Sequence, residues 1–395
     1  MLKKLHGRKL AVCLIGGAMY AFFSAFGWQA EHGGVIWAGG ALLVAALLVW
    51  PIAALLAVLL ERGYTRALRQ KKTFRAGRAF AFILACYVPM FCVAFPGSFA
   101  YDVPYQLRQV VTGAYSTHHP LLHTLALGGL LQLGRALGDI NLGAALYTAL
   151  QMALLAGCFA LTCGSIARQS GARAAKRATV FFALYPLNMV MAVNATKDVL
   201  FGGFFALTLA LLNEIREKPS RGLALKIAAC GALAVMLRNN MAYAALVWLA
   251  LLTLGLRKAE KSAALAMLLA LAVGLCGNAA LKRATRAESG DMSEMLSWPI
   301  QQLARARLYD EERLTDAEKE AIDELMPGEA WACYDPTISD PVKFEFDTQA
   351  FRADVKKYVG VWLSVGKKCA GTYLDATMAL TYPFFYPYRE YRVSG

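Results

Sequence analysis

The chain has 395 residues, 58% of them hydrophobic and only 17% charged, with a formal net charge of +14. So much apolar surface exceeds what a soluble domain of this length can bury, which makes the chain a polytopic membrane protein. The Lys and Arg residues sit in short runs between apolar segments, as they do where a membrane protein marks its cytoplasmic side, and no nucleic-acid-binding surface remains once those loops are set aside.

From the N-terminus, Met1-Leu-Lys-Lys-Leu-His-Gly-Arg-Lys9 precedes a long apolar stretch without a small-residue cleavage site, which reads as a retained signal anchor. At about 20 residues per crossing, the candidate spans are 10–28, 34–60, 79–96, 143–165, 178–194, 198–213, 222–237, 241–256 and 262–280. One further apolar run, 120–134, decides the topology. The loops 166–177, 214–221 and 257–261 carry ten Lys and Arg residues, against Lys197 and Arg238 alone in the alternate loops. The positive-inside rule puts the basic loops in the cytoplasm, together with 61–78, and this holds only if 120–134 does not cross. That run is also short for a crossing and reads as an interfacial or re-entrant helix. Nine spans result, with the N-terminus inside and the C-terminus outside.

On this topology the outer face gathers Asp102, Gln106, His118, His119 and His123 from the loop 97–142. To these it adds Lys197 and Asp198 from one turn and Arg238, Asn239 and Asn240 from another. Ionisable groups held at a membrane surface are costly and mark functional sites. Each piece also has a plainer explanation. Asp102 is placed to cap a helix with Pro104 in its first turn; Lys197 with Asp198 suits an interfacial anchor, and Arg238 a snorkelling head. Asp102 and Gln106 are four apart, so they share a helix face. His119 and His123 have the same spacing, which serves a metal pair with Asp102 or a hydrogen-bonding, phosphate-contacting pair. A divalent cation (Mg or Mn) is compatible with this set and is not required by it.

The seven cysteines Cys13, Cys86, Cys92, Cys158, Cys163, Cys230 and Cys276 lie in apolar runs and read as small buried hydrophobes. Cys333 and Cys369 fall in the polar C-terminal part, where an oxidising compartment would let them pair.

That part, from about residue 281, has a different texture, so the chain divides into a bundle, 1–280, and an outer-face region, 281–395. Leu314-Thr315-Asp316-Ala-Glu318 opens a solvated helix with a capping box. Gln302 and Arg305 share one face of a short amphipathic helix that is placed to roof the site. The aromatic-rich 355–387 reads as an interfacial belt, because a tenth crossing there would bury Lys367, Lys368 and Asp375.

The sequence resembles bacterial membrane glycosyltransferases of the GT-C fold, in a poorly characterised branch. The resemblance is carried by Phe95-Pro-Gly-Ser-Phe-Ala-Tyr-Asp102-Val-Pro-Tyr-Gln106, Tyr115-Ser-Thr-His118-His119-Pro120, Thr196-Lys197-Asp198 and Arg238-Asn239-Asn240. It continues through Pro299-Ile-Gln301-Gln302-Leu-Ala-Arg305, Ser339-Asp340-Pro341-Val-Lys343 and Thr381-Tyr-Pro-Phe-Phe-Tyr-Pro387, an ordered set over about three quarters of the chain. It implies an all-α GT-C-like bundle in the bacterial inner membrane with interfacial helices in the first large outer loop. It also implies a polyprenyl-phosphate sugar donor, a glycan, lipid or protein acceptor, and a catalytic carboxylate that matches Asp102. Members of that family continue into further spans after the Tyr-Pro-rich stretch, whereas this chain stops at Gly395. Two other classes share some features. A transporter or flippase of lipid-linked saccharides would show internal repeats, which the sequence lacks. A polysaccharide polymerase or ligase would place its large loop later in the chain.

Overall fold

The computed structural model describes residues 8–32, 39–67, 73–253, 258–290, 292–384 and 386. Parts of the basic loops (68–72 and 254–257), the start of the 34–60 segment and residues 387–395 lie outside the described residues. The chain falls into two units, one made of residues 1–62 and 291–395 and the other of 63–290. The first two apolar segments therefore group with the C-terminal region, unlike a division at residue 280.

The first unit opens with α1 (Arg8–His32) and most of α2 (Gly39–Ala67). The second begins with α3 (Ala76–Val93), β1 (Ser98–Phe99), α4 (Val103–Thr112), α5 (Leu121–Ala136), α6 (Ile140–Ser170), α7 (Ala172–Leu184) and α8 (Pro186–Val193). It continues through β2 (Asn194–Ala195), α9 (Lys197–Glu217), α10 (Arg221–Leu237), α11 (Met241–Thr253) and α12 (Lys258–Thr285). The first unit then resumes with α13 (Ser297–Tyr309), α14 (Asp316–Leu325), α15 (Asp340–Phe344), α16 (Thr348–Ala353), α17 (Val355–Lys368) and α18 (Ala370–Thr381).

The fold is all-α, and helices occupy the described part of every segment expected to cross a membrane. Among the described residues four of them, α3, α6, α9 and the Lys261–Thr285 part of α12, are long and apolar enough to do so. The described apolar stretches of α1, α2 and α11 are shorter, and α10 has 17 residues. The segment 178–194 is not one helix. Pro186 disfavours helical backbone at Tyr185, which is extended (φ −67°, ψ 117°), and the run breaks into α7 and α8. Outward-facing Leu154, Leu161, Leu209, Leu265 and Leu268 give the long helices an apolar exterior.

The second unit has two chemically distinct ends. At one, Arg168 near the end of α6 forms a two-pronged pair with buried Glu214 near the end of α9, joining two of the basic turns. At the other, the α3–α4 loop, the start of α9 and the α10–α11 turn come together. Thr148 Oγ1 on α6 donates to Pro96 O at 2.9 Å, and Gln151 Nε2 donates to Ala192 O at 3.0 Å and Asn194 O at 2.9 Å. These bonds set the level at which α3 and α8 end and α9 begins.

Below that level α6 runs about 20 residues, or about 30 Å; above it about ten residues project. Against this projecting part α5 folds back through the turn at Gly138–Asp139, where Asp139 caps α6 by accepting from Asn141 N at 2.8 Å. The two backbones touch, since a methyl group on Gly134 would lie 2.3 Å from Gly143 N. A core of Val103, Leu127, Leu131, Ala144, Tyr147 and Ala195 fills the space beneath α4 and α5.

In the first unit α13 supplies the centre of a core that includes Ile300, Leu303, Ile322, Leu325, Val342 and Val365. α1 packs in a separate cluster with Met378, Tyr382 and Tyr386, the Phe26 and Tyr382 rings lying 5.8 Å apart. The C-terminal run breaks at Cys369 into α17 and α18, so among the described residues no single helix there is long enough to cross a membrane. Cys369 is buried and Cys333 exposed, each a separate thiol.

The capping box at Thr315 and Glu318 is formed, but Glu318 is not a solvated surface charge. It is buried and accepts from Ser364 Oγ at 2.7 Å and Lys368 Nζ at 2.7 Å. Burial raises its pKa, but the bonds from Lys368, the Thr315 backbone and Ser364 outweigh this and pull the carboxyl down to about 2. Since the folded value is depressed from 4.5, the stabilisation is present above that value and is lost as pH falls through about 2. Tryptophan-detected melting between about pH 5 and pH 2 should therefore show a shallower fall in Tm for Glu318→Gln than for the parent, and equal slopes would refute the assignment.

Candidate active site

The two short strands pair in parallel, Ser98 with Asn194 and Phe99 with Ala195. Carried forward along both chains, this register sets Asp102, at the start of α4, beside Lys197, at the start of α9. Gly97 makes the approach possible. Its φ is +132°, and a methyl group there would lie 2.2 Å from Thr148 Oγ1. Gly97→Ala should accordingly lower the Tm of the solubilised protein by several degrees, as expected for about 2 kcal/mol or more of steric and backbone strain; an unchanged Tm would mean that the strand pair is not set this way.

Asp102 makes no capping hydrogen bond to α4. Instead its Oδ2 accepts from Lys197 Nζ and lies 3.8 Å from His119 Nδ1, while Lys197 Nζ is 3.5 Å from the same nitrogen. Both the Asp102 and Lys197 side chains retain 16% exposure, which leaves them reachable from the surface. Burial raises the Asp102 pKa, yet the Lys197 hydrogen bond and the charges of Lys197, His119 and His118 prevail and hold the carboxyl below its ordinary value. The His118 and His119 rings meet edge to face at 4.6 Å.

The loop carrying the two histidines is held from the far end of the unit's chain. Thr117 N donates to Glu288 O at 2.9 Å, Glu288 N to Tyr115 O at 2.9 Å, and Gly290 N to Thr117 Oγ1 at 2.9 Å.

Gln106 does share a face with Asp102, but it is buried and committed to His123, with Oε1 2.8 Å from Nδ1. With the amide oxygen as acceptor, His123 carries its proton on Nδ1. Burial, aided by the charges of Lys197 and His119, lowers its pKa to about 4, so the ring is neutral near pH 7. This rung ties α4 to α5, and the Asp102–His119 contact is the next rung outward. Of the three candidate metal ligands, Asp102 and His119 share Lys197 as a partner, while His123 is turned to Gln106. Among the described residues no group of three or more His, Cys, Asp or Glu side chains is placed to hold a metal ion.

Asp198 pairs with Arg238, the C-cap residue of α10, whose guanidinium lies 5.6 Å from the Phe201 ring centre. Asn239 Nδ2 donates to Thr117 O at 3.2 Å, and Asn240 is exposed in the same turn. A cavity of about 210 Å³ opens beside His119, with Thr117, Asn239, Asn278 and Lys282 in its wall. Lys282 and Asn278 escape a sequence reading because they lie in the final turns of an apolar helix, where Lys282 and the adjacent Arg283 look like span-end anchors.

Gln302 and Arg305 belong to the first unit and are engaged within it. Gln302 Nε2 donates to Thr377 Oγ1 at 2.9 Å, and its Oε1 accepts from Trp362 Nε1 at 2.8 Å. Arg305 donates to Tyr334 OH at 3.1 Å, lies 3.5 Å from Asp375 and is flanked by the rings of Tyr309 and Tyr334. Both act there as packing residues of α13.

Neither a curated protein nor a solved structure was found to match the chain. A family model described as a family of unknown function (DUF6020) matches residues 110–395, beginning within α4 just after Asp102 and taking in the histidine loop, Lys197, Arg238 and the C-terminal region. With more than two thirds of its length inside that match, the chain belongs to the DUF6020 family.

Proposed function

We propose that this protein is a membrane glycosyltransferase of the GT-C kind that moves a sugar from a polyprenyl-phosphate donor to an acceptor hydroxyl on the outer face of the bacterial inner membrane. The observation that carries this reading is the convergence of Asp102, Lys197 and His119 from three separate segments at one end of the bundle.

Asp102 acts as general base. It takes the acceptor hydroxyl proton as that oxygen bonds to the anomeric carbon. The bond from that carbon to the phosphate oxygen breaks, and its electron pair leaves with the polyprenyl phosphate. Lys197, Arg238 and His118 or His119 answer the negative charge that develops there. In the resting pair Lys197 weakens Asp102 as a base, because it stabilises the ionised form. An arriving phosphate competes for the same ammonium, so donor binding frees the carboxylate and raises its basicity. Asn239 and Asn240 suit hydroxyl recognition, since amides donate and accept. Gln106 and His123 set the spacing of α4 and α5.

Nine crossings with the basic loops inside remain the topology we favour. The level set by Gln151 supports it, because the length of α6 beyond it matches a hydrocarbon core of about 30 Å and leaves α5 beside the projecting turns. Cysteines placed at Ser170 and Asn240 should react with impermeant reagents from opposite sides, and labelling from the same side would overturn this arrangement.

The function is tested by reconstituting the protein in liposomes with polyprenyl-phosphate-linked sugars and a hydroxyl acceptor. Release of polyprenyl phosphate coupled to acceptor glycosylation is expected; no release with any sugar donor would refute the reading.

A further inference from the structure

The cavity beside His119 shares His119 and Asn239 with the step at Asp102, and the rest of its wall, unused by that step, is chemically organised. Thr117, Asn239 and Asn278 supply a hydroxyl and two amides, Pro120 and Leu121 an apolar floor, and Lys282 an ammonium. At about 210 Å³ it lies below the about 300–1,000 Å³ of pockets for drug-sized ligands, which suits one six-membered sugar ring.

Charge balance narrows the ligand. Lys197 is offset by Asp102 and Arg238 by Asp198. Lys282 has no carboxylate partner among the described residues and donates to the Ser289 hydroxyl at 2.8 Å. No acidic side chain lines the cavity. An ammonium in the wall of a partly enclosed cavity, uncompensated by the protein, attracts an anion there. The amides beside it suit the hydroxyls of a ring whose C–H face rests on the apolar floor.

We propose that this cavity holds a single sugar unit bearing a carboxylate, a uronic acid, with Lys282 paired to the carboxylate and Asn239 and Asn278 holding ring hydroxyls. The inference rests on the glycosyltransferase reading and deepens it, naming an acidic sugar as the substrate class.

Saturation-transfer NMR on the full-length solubilised protein tests it with free glucuronate, glucose and inorganic phosphate as probes. Glucuronate should bind at least tenfold more tightly than glucose, and Lys282→Gln should remove that margin, the loss expected for a charge-assisted contact. Asn278→Leu should weaken both sugars. Equal binding of the two sugars, an unaffected Lys282→Gln protein, or preference for inorganic phosphate over glucuronate would each overturn the proposal, the last in favour of a donor-phosphate subsite.

The two readings fail separately. If lipid-linked neutral hexoses are transferred at the same rate by parent and Lys282→Gln while glucuronate does not bind, the transferase stands and the acidic-sugar subsite falls. If glucuronate binds through Lys282 but no donor turns over, the subsite stands and the transferase falls.

Discussion

Replacing Asp102 by Asn should reduce sugar transfer about 100- to 10,000-fold, the range typical for loss of a general base. The carboxamide keeps the size of the side chain but cannot take a proton at neutral pH. It also leaves Lys197 without its carboxylate, so donor phosphate meets a less encumbered cation. The expected signature is therefore a collapse of kcat together with a lower donor KM, whereas loss of folded enzyme lowers the apparent kcat and leaves KM unchanged.

Asp102→Glu, which keeps the charge and displaces it by one carbon, should recover part of the rate. The acidic limb of kcat/KM in the parent should fall below the ordinary carboxylate range near about 4, because Lys197 and the histidines depress the free-enzyme value despite burial. Polyprenyl phosphate release by Asp102→Asn at the parental rate would remove Asp102 from the mechanism.

Much of this site can be read from the sequence because its members break the local pattern. Asp102, the His118–His119 pair, Lys197 and Arg238 are polar groups in an otherwise apolar sequence, and the positive-inside count assigns them to one side. The structure brings Asp102, His119 and Lys197 into contact and pairs Arg238 with Asp198 instead.

What the pattern hides is the direction in which a side chain points. Gln106 sits on the same helical face as Asp102, as its spacing requires, but tertiary packing buries it against His123. Glu318 lies in a charged run and still ends up buried, because Lys368 arrives from a helix 50 positions later. Gln302 and Arg305 show the reverse, polar residues on an amphipathic helix whose polar face meets its own unit's core. The break at Pro186 was legible in principle, and hydropathy averaged over a window smooths it away.

The least conspicuous determinants are Thr148 and Gln151, two polar residues within an apolar helix that carry no motif. Gln151→Leu should be among the most destabilising single changes in the second unit. The Gln151 side chain is buried, its Nε2 satisfies the carbonyls of Ala192 and Asn194, and its Oε1 accepts from Tyr147 OH at 3.2 Å. Leucine fills similar volume but leaves those groups without these partners in an apolar setting, at about 1–3 kcal/mol for each one left unsatisfied. Asn194 and Ala195 form β2, the strand whose register places Lys197 against Asp102. Loss of the clip should therefore act on the site as well as on stability. Two measurements on one sample separate the effects: a Tm fall of several degrees in detergent, and a drop in transfer rate that persists well below the melting range. Gln151→Glu, which can still accept from Tyr147 but cannot donate to the two carbonyls, should behave like the leucine variant. Parental stability in the leucine and glutamate variants alike would show that α6 does not hold the strand pair in place.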